Sequence, residues 1–98
     1  MLDILVHWYQ NNNMPKTIQR VQTGVRIEKR LLKVLKALAE QFDMSLGDLL
    51  EGMSLHCFEG KTPFSEETLA KIAKLKEVYE LDLTAEDSHK LDESEPDE

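Results

Sequence analysis

From Arg20 to Ile27 the chain alternates, with Val21, Thr23, Val25 and Ile27 falling on one side and Arg20, Gln22, Gly24 and Arg26 on the other. A period of two predicts a half-buried β-strand, one face on helices and the other offering guanidinium and amide groups outward. At Glu28 the period changes. Ile27, Leu31, Val34, Leu35, Leu38 and Phe42 recur at three- and four-residue intervals, with Ala39 in the same stripe, which predicts an amphipathic helix from Glu28 to Phe42. No Gly or Pro interrupts it, and Glu28 sits in the first turn, where the helix dipole favours an acid. Asp43-Met44 closes that helix. Ser45-Leu46-Gly47-Asp48 opens a second as a variant capping box, the hydroxyl accepting from a free N–H while Asp48 reaches back. Leu46, Leu49, Leu50, Met53, Cys57 and Phe58 give this helix a broad apolar face, and Gly60 stops it.

After a turn at Lys61-Thr62-Pro63-Phe64, Ser65-Glu66-Glu67 begins a third helix, whose apolar side is Leu69, Ile72, Ala73, Leu75, Val78 and Tyr79, to about Glu80. Thr84-Ala85-Glu86-Asp87 caps a short fourth helix reaching Lys90 or Leu91. The two ends read differently. Leu2, Ile4, Val6 and Trp8 alternate as in a strand, whereas Leu2, Leu5, Val6 and Tyr9 suit a helix, and Asn11-Asn12-Asn13 breaks either. Met14-Pro15-Lys16 is a second plausible translation start. At the other end, residues 92–98 have no apolar side chain to bury and are expected to be a disordered acidic tail. The division expected is an extension over 1–15, a core over 16–60, a helical extension over 61–91 and the tail.

Charge changes this picture. The chain carries a formal net charge of −7, which by itself argues against a nucleic-acid partner. Yet Lys16, Arg20, Arg26, Lys29, Arg30, Lys33 and Lys36 stand against the single acid Glu28 between residues 16 and 36, a local balance of +6. From residue 62 onward four lysines face twelve acids, a balance of −8. Coulomb steering acts over roughly 8 Å at physiological salt, so the local face decides what is attracted. The same asymmetry would let the acidic tail screen the basic end.

Chemistry adds little. One cysteine, Cys57, makes no internal disulfide, and there is no Cys/His cluster with metal-ligand spacing. His7, His56 and His89 are scattered, and no nucleophile stands with a base and an orienting partner, so neither an enzyme nor a cofactor is expected. The apolar run from Leu2 to Tyr9 is too short to span a bilayer and lacks the preceding basic residue of a secretory signal, so the protein is expected in the cytoplasm without a membrane partner.

A lone strand leaves N–H and C=O groups unpaired on both edges, and two helices over it lack material for a closed core. The expected remedy is an intertwined homodimer whose strands pair antiparallel across a two-fold axis. Its ribbon would present Arg20, Gln22 and Arg26 twice around Gly24, where a missing side chain permits close approach to another surface. Such a ribbon fits the major groove of duplex DNA, where arginine bonds guanine and glutamine bonds adenine.

The run V-Q-T-G-V-R-I-E-K-R-L-L-K-V-L-K-A-L-A-E-Q-F-D-M-S-L-G-D-L-L-E-G-M resembles the ribbon-helix-helix (MetJ/Arc/CopG-type) DNA-binding family, over about two fifths of the chain from Arg20 to Phe58. The resemblance implies a mainly α fold: one N-terminal β-strand paired across the dimer, two core helices and here a C-terminal helical extension. It places the base-reading positions on Gln22, Gly24 and Arg26, and the phosphate clamp on Ser45, Leu46 and Gly47. Lys16, Arg20 and Lys29 join the clamp as expected backbone contacts. Two positions depart from the family pattern: Asp43 stands where a glycine is usual, and Gly24 where a polar base reader is usual. The function implied is a repressor-type regulator that binds specific double-stranded DNA sites. The alternative is a protein-interaction module, an antitoxin or adaptor, gripping a partner protein through residues 62–91.

Overall fold

The structure, a computed structural model, describes residues 15–94. The readings made above for the first thirteen residues, and for the last four of the acidic tail, lie outside that range. Three α-helices carry the fold: α1 (Lys29–Gln41), α2 (Leu46–Phe58) and α3 (Glu66–Val78), followed by a single 3-10 turn over Ala85–Asp87. No helix among the described residues is long and apolar enough to cross a membrane.

Each helix begins on a side-chain cap. Glu28, one residue before α1, accepts the Leu31 N–H on Oε1 at 2.8 Å, and Arg30 Nε donates to its Oε2 at 3.1 Å. Ser45 accepts the Asp48 N–H at 3.1 Å, and Ser65 accepts the Thr68 N–H at 3.2 Å. The expected return arm of the Ser45 box is replaced, because Asp48 pairs with Arg20 instead, at 3.6 Å. The full reciprocal box forms at Thr84 and Asp87, but it caps only the 3-10 turn rather than a fourth helix.

All three helices end in the same way. The residue after each C-cap has positive φ: Asp43 at 54°, Gly60 at 72° and Glu80 at 55°. At each, paired N–H groups return to the last turn, as Asp43 does to the Glu40 carbonyl (3.1 Å) and Met44 to that of Ala39 (3.0 Å). This is the Schellman arrangement, which satisfies orphan carbonyls and turns the chain sharply. Asp43 thus takes the left-handed conformation that glycine most often supplies at such a position.

Helix α1 is central and packs against both α2 and α3. Its buried face is Val34, Leu38, Ala39 and Phe42, joined by Leu49 from α2 and Leu81 just past α3. Leu35, Met44, Met53, Phe64, Ile72 and Leu75 pack around that centre. From Val34 to Phe42 the α1 stripe therefore lies where its periodicity places it, while Leu31 at its start is exposed. The α2 face follows its periodicity only in its first half: Leu49 is fully buried and Leu46, Leu50 and Met53 are half-buried, but Cys57 is exposed and Phe58 stands 83% exposed. In α3 the deepest residue is Thr68, while Leu69 and Val78 remain at the surface.

The ribbon-helix-helix architecture expected for the chain is not what the structure shows. Among the described residues there is no strand; residues 15–28 are neither helix nor strand, and the fold is an all-helical three-helix bundle. Val21 is 86% exposed and Val25 72%, so among the described residues the apolar side of the alternating run is covered only at its end, where Ile27 is half-buried. The physical reason is that alternation assigns side chains to two faces but forms no ladder. A strand requires a neighbouring backbone at hydrogen-bonding distance, and none of the described chain lies there.

Candidate nucleic-acid interface

The alternating run leads directly into α1, and that junction concentrates positive charge. Lys16, Arg20, Arg26, Lys29, Lys33 and Lys36 are all exposed. Lys29, Lys33 and Lys36 are spaced by four and three residues, so they share one ridge of α1 on the side opposite Val34, Leu38 and Phe42. The charges that matter thus lie along the irregular stretch before α1 and on one face of that helix. Lys33 and Lys36 join the expected backbone contacts here, and their spacing against the apolar stripe is the signal that places them on this ridge.

Of the expected base readers, Gln22, Gly24 and Arg26 are exposed on the irregular run. A methyl group added at Gly24 would meet no heavy atom within 4 Å, so the fold itself gives no reason for a glycine there. Arg26 forms an ion pair with Glu93 from the carboxyl-terminal segment.

The three arginines of the basic stretch are all held by oxygen acceptors, each from a different direction. Arg20 binds Glu51 of α2 in fork geometry, Nε to Oε2 at 2.8 Å and Nη2 to Oε1 at 2.9 Å, which ties the irregular run to α2. That hydrogen bonding is the main cause holding the Glu51 carboxyl below its usual value, with the Arg20 charge adding to it against partial desolvation. Arg30 bridges Glu28 to the exit of α3, its Nη1 donating to the Glu80 carbonyl at 2.9 Å and to Asp82 Oδ1 at 3.0 Å. For Glu28, burial pushes the carboxyl up, but the Leu31 N–H and Arg30 together outweigh it and hold the group below its ordinary value.

The expected phosphate clamp, Ser45, Leu46 and Gly47, does open α2 with first-turn N–H groups that favour an anion. Asp48 and Glu51 lie one turn on and oppose one, and Arg20 neutralises part of their charge. The structure therefore brings Arg20 to the clamp, whereas it brings Arg26 to the carboxyl-terminal segment. Among the described residues no group of three or more His, Cys, Asp or Glu side chains could hold a metal ion. His56 Nδ1 lies 2.8 Å from the Gly52 carbonyl, which can only accept, so the ring nitrogen donates within its own helix.

No protein-family model, no curated protein and no solved structure matches this chain.

Proposed function

We propose that this protein binds duplex DNA as a homodimer in the cytoplasm and acts as a repressor-type transcriptional regulator. The observation that carries the reading is the set of exposed basic side chains, Lys16, Arg20 and Arg26 before α1 and the Lys29, Lys33 and Lys36 ridge on it, on a chain whose net charge is strongly negative. Such lysines and arginines neutralise phosphates and release counterions, which supplies most of the affinity. Gln22 and Arg26 are the side chains suited to base edges, and the open space at Gly24 lets the backbone come close to the duplex. Ser45, Leu46 and Gly47 complete the backbone contacts.

The dimer is supported by an imbalance in the apolar surface. Six hydrophobic residues are buried among the described residues, whereas nine large ones, including Val21, Val25, Leu55 and Phe58, remain exposed. A second copy that covers them would remove from water what one chain leaves wet. Light scattering at micromolar concentration should give twice the chain mass. The alternative, a module that grips another protein through residues 62–91, draws on exposed Leu69 and Val78. Stoichiometric co-purification of a second protein, lost on Leu69→Ser with Val78→Ser, would favour it.

The deciding measurement is fluorescence anisotropy with duplex DNA over a salt series. Log affinity should fall linearly with log salt at about −0.9 per neutralised phosphate, and removing Lys33 and Lys36 together should flatten that slope by up to about 1.8. Arg26→Ala should reduce discrimination between sites by roughly 1–3 kcal/mol, while Lys16→Ala should weaken all sites alike. Absence of DNA affinity at low salt would overturn the reading.

A further inference from the structure

Beyond α3 the chain turns back across the amino-terminal end of α1. Leu81 is buried and Leu83 half-buried, and with Leu91 they border an apolar groove of about 410 Å³ whose other wall includes Leu31 and Leu35 of α1. Two acids of this segment meet two arginines of the basic stretch: Asp82 takes Arg30, and Glu93 takes Arg26. Residues 80–94 contain six acids and one lysine, Lys90. Apolar contacts thus lay a strongly acidic arm beside the most cationic part of the molecule.

We propose that this carboxyl-terminal arm is an intramolecular competitor of nucleic acid, with Glu93 occupying the Arg26 guanidinium that the duplex would otherwise engage. The inference rests on the DNA-binding reading above and adds a regulatory contact to it. A guanidinium pairs with a carboxylate in the same fork geometry as with a phosphate, so occupation by one excludes the other. The pair is also suited to exchange. The Arg26 side chain is 80% exposed and that of Glu93 65%, and ion pairs in such solvated settings are weak. A duplex that engages the whole set of basic side chains displaces the arm, whereas an encounter through one or two phosphates does not. The arm therefore raises selectivity for full-length contact by penalising partial contact. Arg30 has a different role, since it joins Glu28, the Glu80 carbonyl and Asp82 and belongs to the scaffold that positions the arm.

The test is a double-mutant cycle on the full chain, read as affinity for a nonspecific duplex at low salt by anisotropy. Glu93→Gln should raise affinity about two- to fivefold, the range expected when one exposed ion pair is released. Glu77→Gln, which makes the same change in net charge on the exposed surface of α3, should leave it unchanged. In an Arg26→Ala background the Glu93→Gln gain should vanish, since the two effects couple only through the contact. Deleting residues 92–98 should reproduce or exceed the gain, and all differences should shrink as salt screens the arm. DNA binding that is equal in full-length and Glu93→Gln protein, or a gain that persists without Arg26, overturns the arm while leaving DNA binding in place. Failure of every form, arm-deleted included, to bind DNA overturns the functional reading itself.

Discussion

Leu49 and Leu55 are the same side chain in the same helix, and the fold assigns them opposite fates. Leu49 is 0% exposed, in contact with the Leu38, Ala39 and Phe42 cluster; Leu55 is 63% exposed. Leu49→Ala removes three carbons from a sealed position, worth about 2.4 kcal/mol at roughly 0.8 kcal/mol per methylene. The cavity left behind adds to this, because neighbouring side chains collapse only in part, and buried leucine-to-alanine changes run from about 2 to 5 kcal/mol. About 3–4 kcal/mol is expected here. A domain of this size is stable by about 5–15 kcal/mol in total, so the variant loses a large fraction of its margin. The corresponding fall in Tm, at about 4–8 °C per kcal/mol, is about 12–32 °C. Leu55→Ala should change the stability of the single chain by no more than about 0.5 kcal/mol. The assay is urea unfolding followed by circular dichroism for both variants, repeated over a range of protein concentrations. A Leu55→Ala loss that grows with concentration marks that face as part of the dimer contact. A Leu49→Ala loss below about 1 kcal/mol, or equal losses from both leucines at the lowest concentration, would refute the packing described for α2.

Two further predictions follow from the caps and the acid pairs. Glu80 holds φ at 55° without being glycine, so Glu80→Gly should stabilise by up to about 1 kcal/mol, the left-handed penalty being partly offset by glycine's added chain entropy, whereas Gly60→Ala at φ 72° should destabilise by about 1 kcal/mol in thermal melts. A fall in Tm for Glu80→Gly would count against the C-terminal geometry of α3. Glu28 and Glu51 both have folded pKa values below the ordinary carboxylate value. Their contribution is therefore complete above the unfolded value of about 4.3 and is lost as pH falls through the lower folded values. Tm should accordingly be insensitive to these groups from neutral pH down to about 5 and should drop below about 4, with a smaller drop in Glu28→Gln and Glu51→Gln; because both carboxyls are solvent-screened the effect is modest. An identical acid-side drop in the doubly substituted protein would contradict the assignment.

Local rules were legible in the residues. From Val34 to Phe42 the α1 stripe lies on the buried side, Ser45 and Ser65 cap the helices they precede, and Gly60 and the Asp43-Met44 break fall at chain reversals. These features depend on contacts within a few residues, which spacing and side-chain type encode directly. The acid Glu28 was correctly placed at the start of α1, although it acts from one residue further out, as the cap itself.

Position in three dimensions was a different matter. The valines at 21 and 25 alternate as a strand would, yet among the described residues no backbone stands beside them, so the expected paired ribbon gives way to an exposed irregular run. Thr68 rather than Leu69 lies deepest in α3, because the Ser65 hydroxyl donates to Thr68 Oγ1 and makes a polar side chain tolerable inside. Charge balance along the chain was read from composition, but the pairing of Arg20 with Glu51 and of Arg26 with Glu93 joins residues 31 and 67 positions apart. Periodicity by itself determined which residues share a face, where helices start and stop, and that positive charge gathers near residue 30. Tertiary structure alone decided which faces are covered and which carboxylate each arginine meets, since those outcomes depend on contacts between elements far apart in the chain, and no local spacing specifies them.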